Sequence, residues 1–283
     1  MEQLSLGFIG CGAMGSAIIS GIVKSNTVPA EHIWVYDVDA DKPESIKNKF
    51  AVNMADDLSE LCRESDYIFL AVKPADLQDL LENIRDCITG EHLLISVIAG
   101  KTTEFIESII SGDSSAACGD NAGNHPLVIR LMPNTPCLIG EGVVAVAPGS
   151  RATEDQVASV ERLVEPLGLT VNTREKYMDA ITALSGSGPG YAFVFMEALV
   201  DGAVNSGLDR PTAEKMASQT LLGAAAMARD TGRSLADLKG SVTSPGGTTI
   251  AAINLMENRA FRGTVMDAVG EATRKAGELN KGK

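Results

Sequence analysis

Six residues near the start of the chain have the types and spacing of a phosphate-binding turn: Gly10, Cys11, Gly12, Ala13, Met14 and Gly15 read G-x-G-x-x-G. They directly follow a strand-like apolar run, Leu4–Ile9, and open a segment with helical periodicity, Ala13–Lys24. In that setting each glycine has a task. Gly10 permits the tight turn, Gly12 lets the backbone approach a pyrophosphate, and Gly15 lets helix and strand pack closely. The pyrophosphate then rests on the positive end of the helix. A second strand-like run, Ile33–Tyr36, ends at Asp37, where a carboxylate can accept hydrogen bonds from an adenosine ribose. The competing reading is that Asp37 merely caps a helix over Asp39–Lys49. Together these residues predict a dinucleotide site.

Three further strand ends belong to the same layer. Ala71, Val72, Lys73 and Pro74 close the buried run Tyr67–Val72. Ala99 and Gly100 close Leu93–Ile98, and Asn134 and Thr135 sit in the loop Met132–Pro136, stiffened by two prolines. In an open parallel sheet, ligands bind outside the carboxyl ends of the strands, so these residues outline a cofactor crevice. A second motif lies far downstream. Ser244, Pro245, Gly246, Gly247, Thr248 and Thr249 precede a helical pattern carrying Ile250, Ile253 and Met256. Proline suits a first helical turn, and the glycines leave backbone N–H groups unobstructed, so the helix start suits a small carboxylate. Thr248 and Thr249 add hydroxyl donors. Leu184–Tyr191 is a similar Gly-rich lead into a long helix.

Groups that are not there narrow the chemistry. No histidine or acidic pair is arranged as a strong general base, which is awkward for oxidising an unactivated alcohol. It suits reduction of a C=N bond, where a protonated imine accepts hydride directly and the protein supplies positioning and one hydrogen bond to nitrogen. A hydroxyl such as that of Thr249 would serve. His32, His92 and His125 are far apart, and the five cysteines (Cys11, Cys62, Cys87, Cys118 and Cys137) form no C-x-x-C, so no metal site is expected. Widely spaced cysteines of odd number fit reduced thiols in the cytoplasm.

These residues need a scaffold, and the pattern of the chain supplies one. At 283 residues two domains are expected, at roughly 150 residues each. Hydrophobic residues at 45% are enough for a sizeable core. A net charge of −13 opposes binding to nucleic acid or to anionic lipid, and no apolar stretch is long enough to span a membrane. The N-terminus, with Glu2 and no basic region, reads as unprocessed. Up to about residue 172, strand-like runs alternate with helical ones (Ala75–Cys87, Thr102–Ile110, Thr153–Pro166), which predicts βαβ units and a mostly parallel sheet. Further strands are expected over Val128–Met132 and Val143–Ala147, and Ser111–His125 reads as a flexible surface loop. Beyond Glu175 the strand-like runs stop. Alanine-rich helices follow over Gly190–Ser206, Thr212–Asp230, Leu235–Gly240, Thr248–Glu257 and Phe261–Leu279. Their small-residue faces suggest helix packing beyond one protomer. The fold class is therefore α/β, with a Rossmann-type parallel-sheet domain over residues 1–172 and an all-α part over 173–283.

The motifs also carry a resemblance. Gly7–Met14, Ala71–Pro74, Met132–Pro136, Leu184–Gly190 and Ser244–Ile250 occur in the order found in Δ1-pyrroline-5-carboxylate reductase, and they cover nearly the whole chain. The resemblance implies hydride transfer from NADPH or NADH to the ring imine of pyrroline-5-carboxylate, giving L-proline. It implies that 173–283 is a dimerisation and substrate-binding domain with interlaced helices, forming a homodimer able to assemble further. It places Thr249 near the ring nitrogen and the substrate carboxylate on Ser244, Gly246, Gly247 and Thr248. Lys73 joins Thr249 as a candidate catalytic group. Members of the family often carry Asn/Ser-Arg after the second strand, suited to a 2′-phosphate; this chain has Asp37-Val38-Asp39, so NADH is expected to serve at least as well as NADPH. The alternative is a β-hydroxyacid dehydrogenase, whose N-terminal motif is similar. That family needs a lysine on the helix after its Gly-rich turn, and Pro189–Met196 contains none.

Overall fold

A computed structural model describes residues 4–112 and 126–280. The loop read over Ser111–His125 lies, from residue 113 on, outside the described residues. Eight strands form one sheet: β1 (Leu6–Ile9), β2 (Ile33–Tyr36), β3 (Asn53–Met54), β4 (Tyr67–Leu70), β5 (Leu93–Ser96), β6 (Leu127–Met132), β7 (Gly142–Pro148) and β8 (Gly168–Asn172). Their spatial order is β3-β2-β1-β4-β5-β6-β7-β8. The first six are parallel, β7 runs antiparallel to β6, and β8 runs parallel to β7. The order reverses at β1, so the crevice outside its carboxyl end is where an open α/β sheet binds a ligand.

The continuous apolar runs are explained by burial on both faces. One core joins Leu6, Phe8, Ile33, Val35, Phe69 and Ile95 to Ile18, Ile19 and Ile22 of helix α1 (Ala13–Lys24). The other joins Ile68, Leu70 and Leu94 to helices packed on the opposite side. Phe8 and Phe69 face each other in register across β1 and β4 with ring centroids 4.5 Å apart. The remaining helices of this part are α2 (Asp41–Phe50), α3 (Leu58–Arg63), α4 (Leu77–Ile84), α5 (Thr103–Ser111), α6 (Glu154–Val164) and α7 (Met178–Ile181).

Several expected elements are shorter in the structure. β4 stops at Leu70 and β5 at Ser96, so Ala71–Pro74 and Ala99–Gly100 are loop, leaving the sheet where the crevice opens. α4 stops at Ile84 and tightens into a 3-10 turn, Arg85–Cys87. β3, α3, β8 and α7 were not foreseen.

The chain divides into two compact units, Met1–Gly186 with Ala272–Lys283, and Ser187–Glu271. The second unit is helical: α8 (Gly188–Asn205), α9 (Arg210–Thr231), α10 (Leu235–Ser241), α11 (Thr248–Asn258) and the first half of α12 (Phe261–Asn280). Its own buried cluster is small, with Val200, Ala213 and Ala217 at its centre. Large apolar side chains remain exposed, among them Phe193, Leu222, Leu255 and Met266, each at 60% or more. No described helix is long and apolar enough to cross a membrane.

Candidate functional site

The Gly-rich turn forms because its neighbours leave no room for side chains. Gly10 has φ +105°, and a Cβ there would sit 2.5 Å from the Ala71 carbonyl oxygen. A Cβ on Gly15 would land on the Gly10 carbonyl oxygen. Gly12 differs: nothing lies within 4 Å of the position its Cβ would take. It is the N-cap of α1, whose first turn has neither a side-chain cap nor an acidic residue. Gly12 and Ala13 are exposed. The first N–H groups of α1 thus face open space at the positive end of the helix, which fits a pyrophosphate. The turn is tied to the crevice walls by Gly10 N–H donating to Tyr36 O (2.8 Å) and Ala71 N–H donating to Ile9 O (2.8 Å).

Asp37 is brought to this turn. Its Oδ2 accepts the Cys11 N–H at 2.8 Å, and its Oδ1 accepts the Asp39 N–H at 3.0 Å. The Lys42 ammonium lies 3.5 Å from Oδ1 and 3.4 Å from Asp39. Burial works to raise the Asp37 carboxyl, but the two amides and Lys42 outweigh it and hold it below the ordinary range. The carboxylate is therefore charged at neutral pH. It does not cap α2, whose N-cap is Ala40 with no side-chain bond. The Cys11 thiol is pushed up to about 12, by burial first and by Asp37 second.

The other crevice residues divide by role. Lys73 is exposed beyond the end of β4. Gly100, with φ +73°, is buried where a Cβ would come within 2.9 Å of Leu279 Cβ, so its lack of a side chain admits the end of α12. Asn134 is 7% exposed; its Oδ1 accepts the Val143 N–H at 2.9 Å and its Nδ2 donates to Ser185 O at 3.0 Å. That side chain braces the crevice wall. Arg130 and Glu175 have no local sequence pattern linking them, yet they form an ion pair at 2.5 Å in which Arg130 is buried and Glu175 is partly exposed. The available signal was a lone charge inside the apolar run Leu127–Met132.

The second unit holds the downstream motif. Ser244–Gly247 is a tight turn closed by Gly247 N–H donating to Ser244 O at 3.0 Å. Pro245 at its second position and Gly246 at its third, with φ +69°, are the residues a type II turn demands. A Cβ on Gly247 would land on Ser244 Oγ and come within 3.2 Å of Ser244 O, so any larger residue there would have to turn the serine hydroxyl aside. Gly247 is the N-cap of α11, again without a side-chain cap and without an acidic first turn. Thr248 is exposed and Thr249 half-buried on that first turn.

The same two regions are matched by known families. The family described as pyrroline-5-carboxylate reductase dimerisation matches residues 175–279, and the one described as NADP oxidoreductase, coenzyme F420-dependent, matches residues 5–100. A pyrroline-5-carboxylate reductase of Methanosarcina acetivorans is 38% identical over 282 residues, covering 99% of this chain and 100% of that protein. Among solved structures, a pyrroline-5-carboxylate reductase from Coxiella burnetii is 34% identical with a TM-score of 0.88, covering 98% of this chain and 99% of that one. That of Plasmodium falciparum pyrroline carboxylate reductase, with NADP bound, is 31% identical with a TM-score of 0.84, covering 99% of each chain. The Rossmann-type sheet, the helical second unit and full-length identity above 30% agree: this chain belongs to the pyrroline-5-carboxylate reductase family.

Proposed function

We propose that the protein reduces the C=N bond of 1-pyrroline-5-carboxylate to give L-proline, using NADPH or NADH. The observation that carries the reading is the uncapped start of α11 behind the Ser244–Gly247 turn, in a chain that also has the open Gly12 turn. When bound, the dinucleotide supplies the hydride. The chain's own residues bind and orient. The amides at the start of α1, with Gly10, Gly12, Ala13, Met14 and Gly15, take the pyrophosphate; Asp37 takes the adenosine ribose. Ala71, Val72, Lys73, Pro74, Ala99, Gly100 and Asn134 line the rest of the cofactor crevice. Ser244, Gly246, Gly247 and Thr248 hold the substrate carboxylate on the positive end of α11. The Thr249 hydroxyl makes the hydrogen bond at the ring nitrogen, and Lys73 adds positive charge at the cofactor edge. The working division is 1–172 for cofactor and 173–283 for substrate and dimerisation. The scattered cysteines favour the cytoplasm.

The deciding assay is NAD(P)H oxidation with pyrroline-5-carboxylate, beside 3-hydroxyisobutyrate oxidation as a control. Turnover of the first substrate and none of the second is expected. The reverse would favour a β-hydroxyacid dehydrogenase.

Two narrower expectations accompany this reading. The exposed apolar faces of the second unit need a cover that it cannot supply itself, and a second copy of the same helices supplies one. Light scattering should give dimer mass or a multiple of it; a single peak at monomer mass would remove the homodimer. The second concerns the coenzyme. The ionised Asp37 would face the 2′-phosphate of NADPH, and like charges at close range cost a kcal/mol or more at an effective dielectric near ~20. NADH should therefore be used at least as well as NADPH, and Asp37→Ser should shift kcat/KM toward NADPH. A strong NADPH preference in wild type, unaltered by the substitution, would leave Asp37 with its amide contacts alone.

A further inference from the structure

Arg130 is 1% exposed in the middle of β6. Along that strand Ile129 and Leu131 point into the core shared with α1, so Val128, Arg130 and Met132 occupy the other face. On that face Arg130 falls between two apolar clusters, one holding Val128 and one holding Met132. Its register partners are Ser96 and Ala147, small residues at 0% exposure, which leave room for a guanidinium. A charge in such a place is unfavourable unless paired. The partner is Glu175, which opens a short 3-10 turn, Glu175–Tyr177, leading into α7. Burial first of all raises the Glu175 carboxyl, while Arg130 draws it down.

The next residues on the same face grip the same stretch of chain. Met132 packs with Met178, and a Cβ on Gly186 would be 3.0 Å from Met132 Cε. Asn134 accepts the Val143 N–H and donates to Ser185 O. Arg130 thus meets Glu175, Met132 meets Met178 and Gly186, and Asn134 meets Ser185. Because β6 is parallel to β5, its carboxyl end and Asn134 lie at the cofactor edge of the sheet. Apolar contacts can slide; an ion pair inside an apolar face has one register.

We infer that Arg130 and Glu175 are a positioning pair whose ion pair fixes the Glu175–Gly186 stretch in register on β6, so that Ser185 and Gly186, at the end of the π-helical segment Thr182–Gly186, stand at the cofactor edge. The inference rests on the proposed reductase reading for its activity readout, and on hydrogen exchange independently of it. In Arg130→Met, kcat with pyrroline-5-carboxylate should fall about tenfold, NAD(P)H affinity should stay within about threefold, and amide exchange over 175–186 should quicken about tenfold. Arg130→Lys, which keeps the charge, should recover most of kcat. The double variant Arg130→Met/Glu175→Leu replaces the pair with apolar groups and should recover melting temperature, yet kcat and exchange should stay impaired, because register and not stability is what was lost. Recovery of kcat to within about twofold, together with melting temperature, would overturn the inference and make the pair purely stabilising. Should the double variant fail to fold, Glu175→Gln decides: slower turnover with faster exchange over 175–186 supports the pair, and wild-type values of both overturn it. A wild-type protein inactive on pyrroline-5-carboxylate would strike only the reductase reading, and the exchange data would still judge the pair.

Discussion

Replacing Thr249 by valine is expected to lower kcat for pyrroline-5-carboxylate by ~10- to 10²-fold while leaving NAD(P)H binding nearly intact, because one aimed hydrogen bond is worth on the order of 1.5–3 kcal/mol. Valine keeps the shape of threonine and removes only the hydroxyl. Thr249 lies in the first turn of α11, half-buried, next to the amides released by the Ser244–Gly247 turn. The amides proposed to hold the substrate carboxylate are backbone and survive the change, so KM should move less than kcat. Steady-state kinetics at saturating substrate, with a fluorescence titration of NAD(P)H alongside, separates the two. An unchanged kcat would take Thr249 out of the chemistry and leave it a helix-start residue.

The glycines of the N-terminal turn should fail in opposite ways. At Gly10 an alanine must hold φ +105° with its Cβ 2.5 Å from a backbone oxygen that cannot move aside. Backbone strain of about 1–3 kcal/mol and a clash of similar size add up to a melting temperature lower by on the order of 10 °C. At Gly12 the added methyl meets no protein atom within 4 Å, so Gly12→Ala should fold and melt like wild type. The methyl would instead occupy the approach of the pyrophosphate and weaken NAD(P)H binding by about tenfold or more. Thermal melts and coenzyme titrations of both variants check this together. A Gly12→Ala protein that binds coenzyme normally would show that the pyrophosphate does not come up to this turn.

The parts of the fold that were legible in the sequence are those whose signals are local. α1 was expected over Ala13–Lys24 and occurs there, because Ile18, Ile19 and Ile22 mark one face and the glycines mark its start. Helices were expected over Thr102–Ile110 and Thr153–Pro166, and each begins behind a threonine, Thr102 or Thr153, that accepts the amide three residues on. β3, with two residues, is too short to show a period. β8 is an edge strand with Leu169 and Val171 exposed, so it has no buried run to betray it. α3 does carry a local trace: Asp57 accepts the Glu60 N–H while Glu60 reaches back to the Asp56 amide. The same distinction holds for the site. The glycine turn and the Ser-Pro-Gly-Gly turn are dictated by φ angles and crowding within a few residues. The bond from Cys11 to Asp37 spans 26 positions and that from Arg130 to Glu175 spans 45. Contacts at such separations depend on register between strands, which no local pattern encodes.

The Cys11–Asp37 bond has a consequence for how such a protein can change over generations. One carboxylate holds the phosphate turn by its Cys11 amide and is also the proposed acceptor for the ribose. Two traits share a single side chain. A substitution at position 37 that favours the other coenzyme also releases a backbone donor in the turn common to both coenzymes, so its benefit arrives with a loss. Serine, whose oxygen sits one bond closer to the backbone, would give up the reach to Cys11 that aspartate has. A lineage moving toward a phosphorylated coenzyme would then need a second change to re-anchor the turn, before or together with the first. The route to new coenzyme use is thus epistatic at its first step.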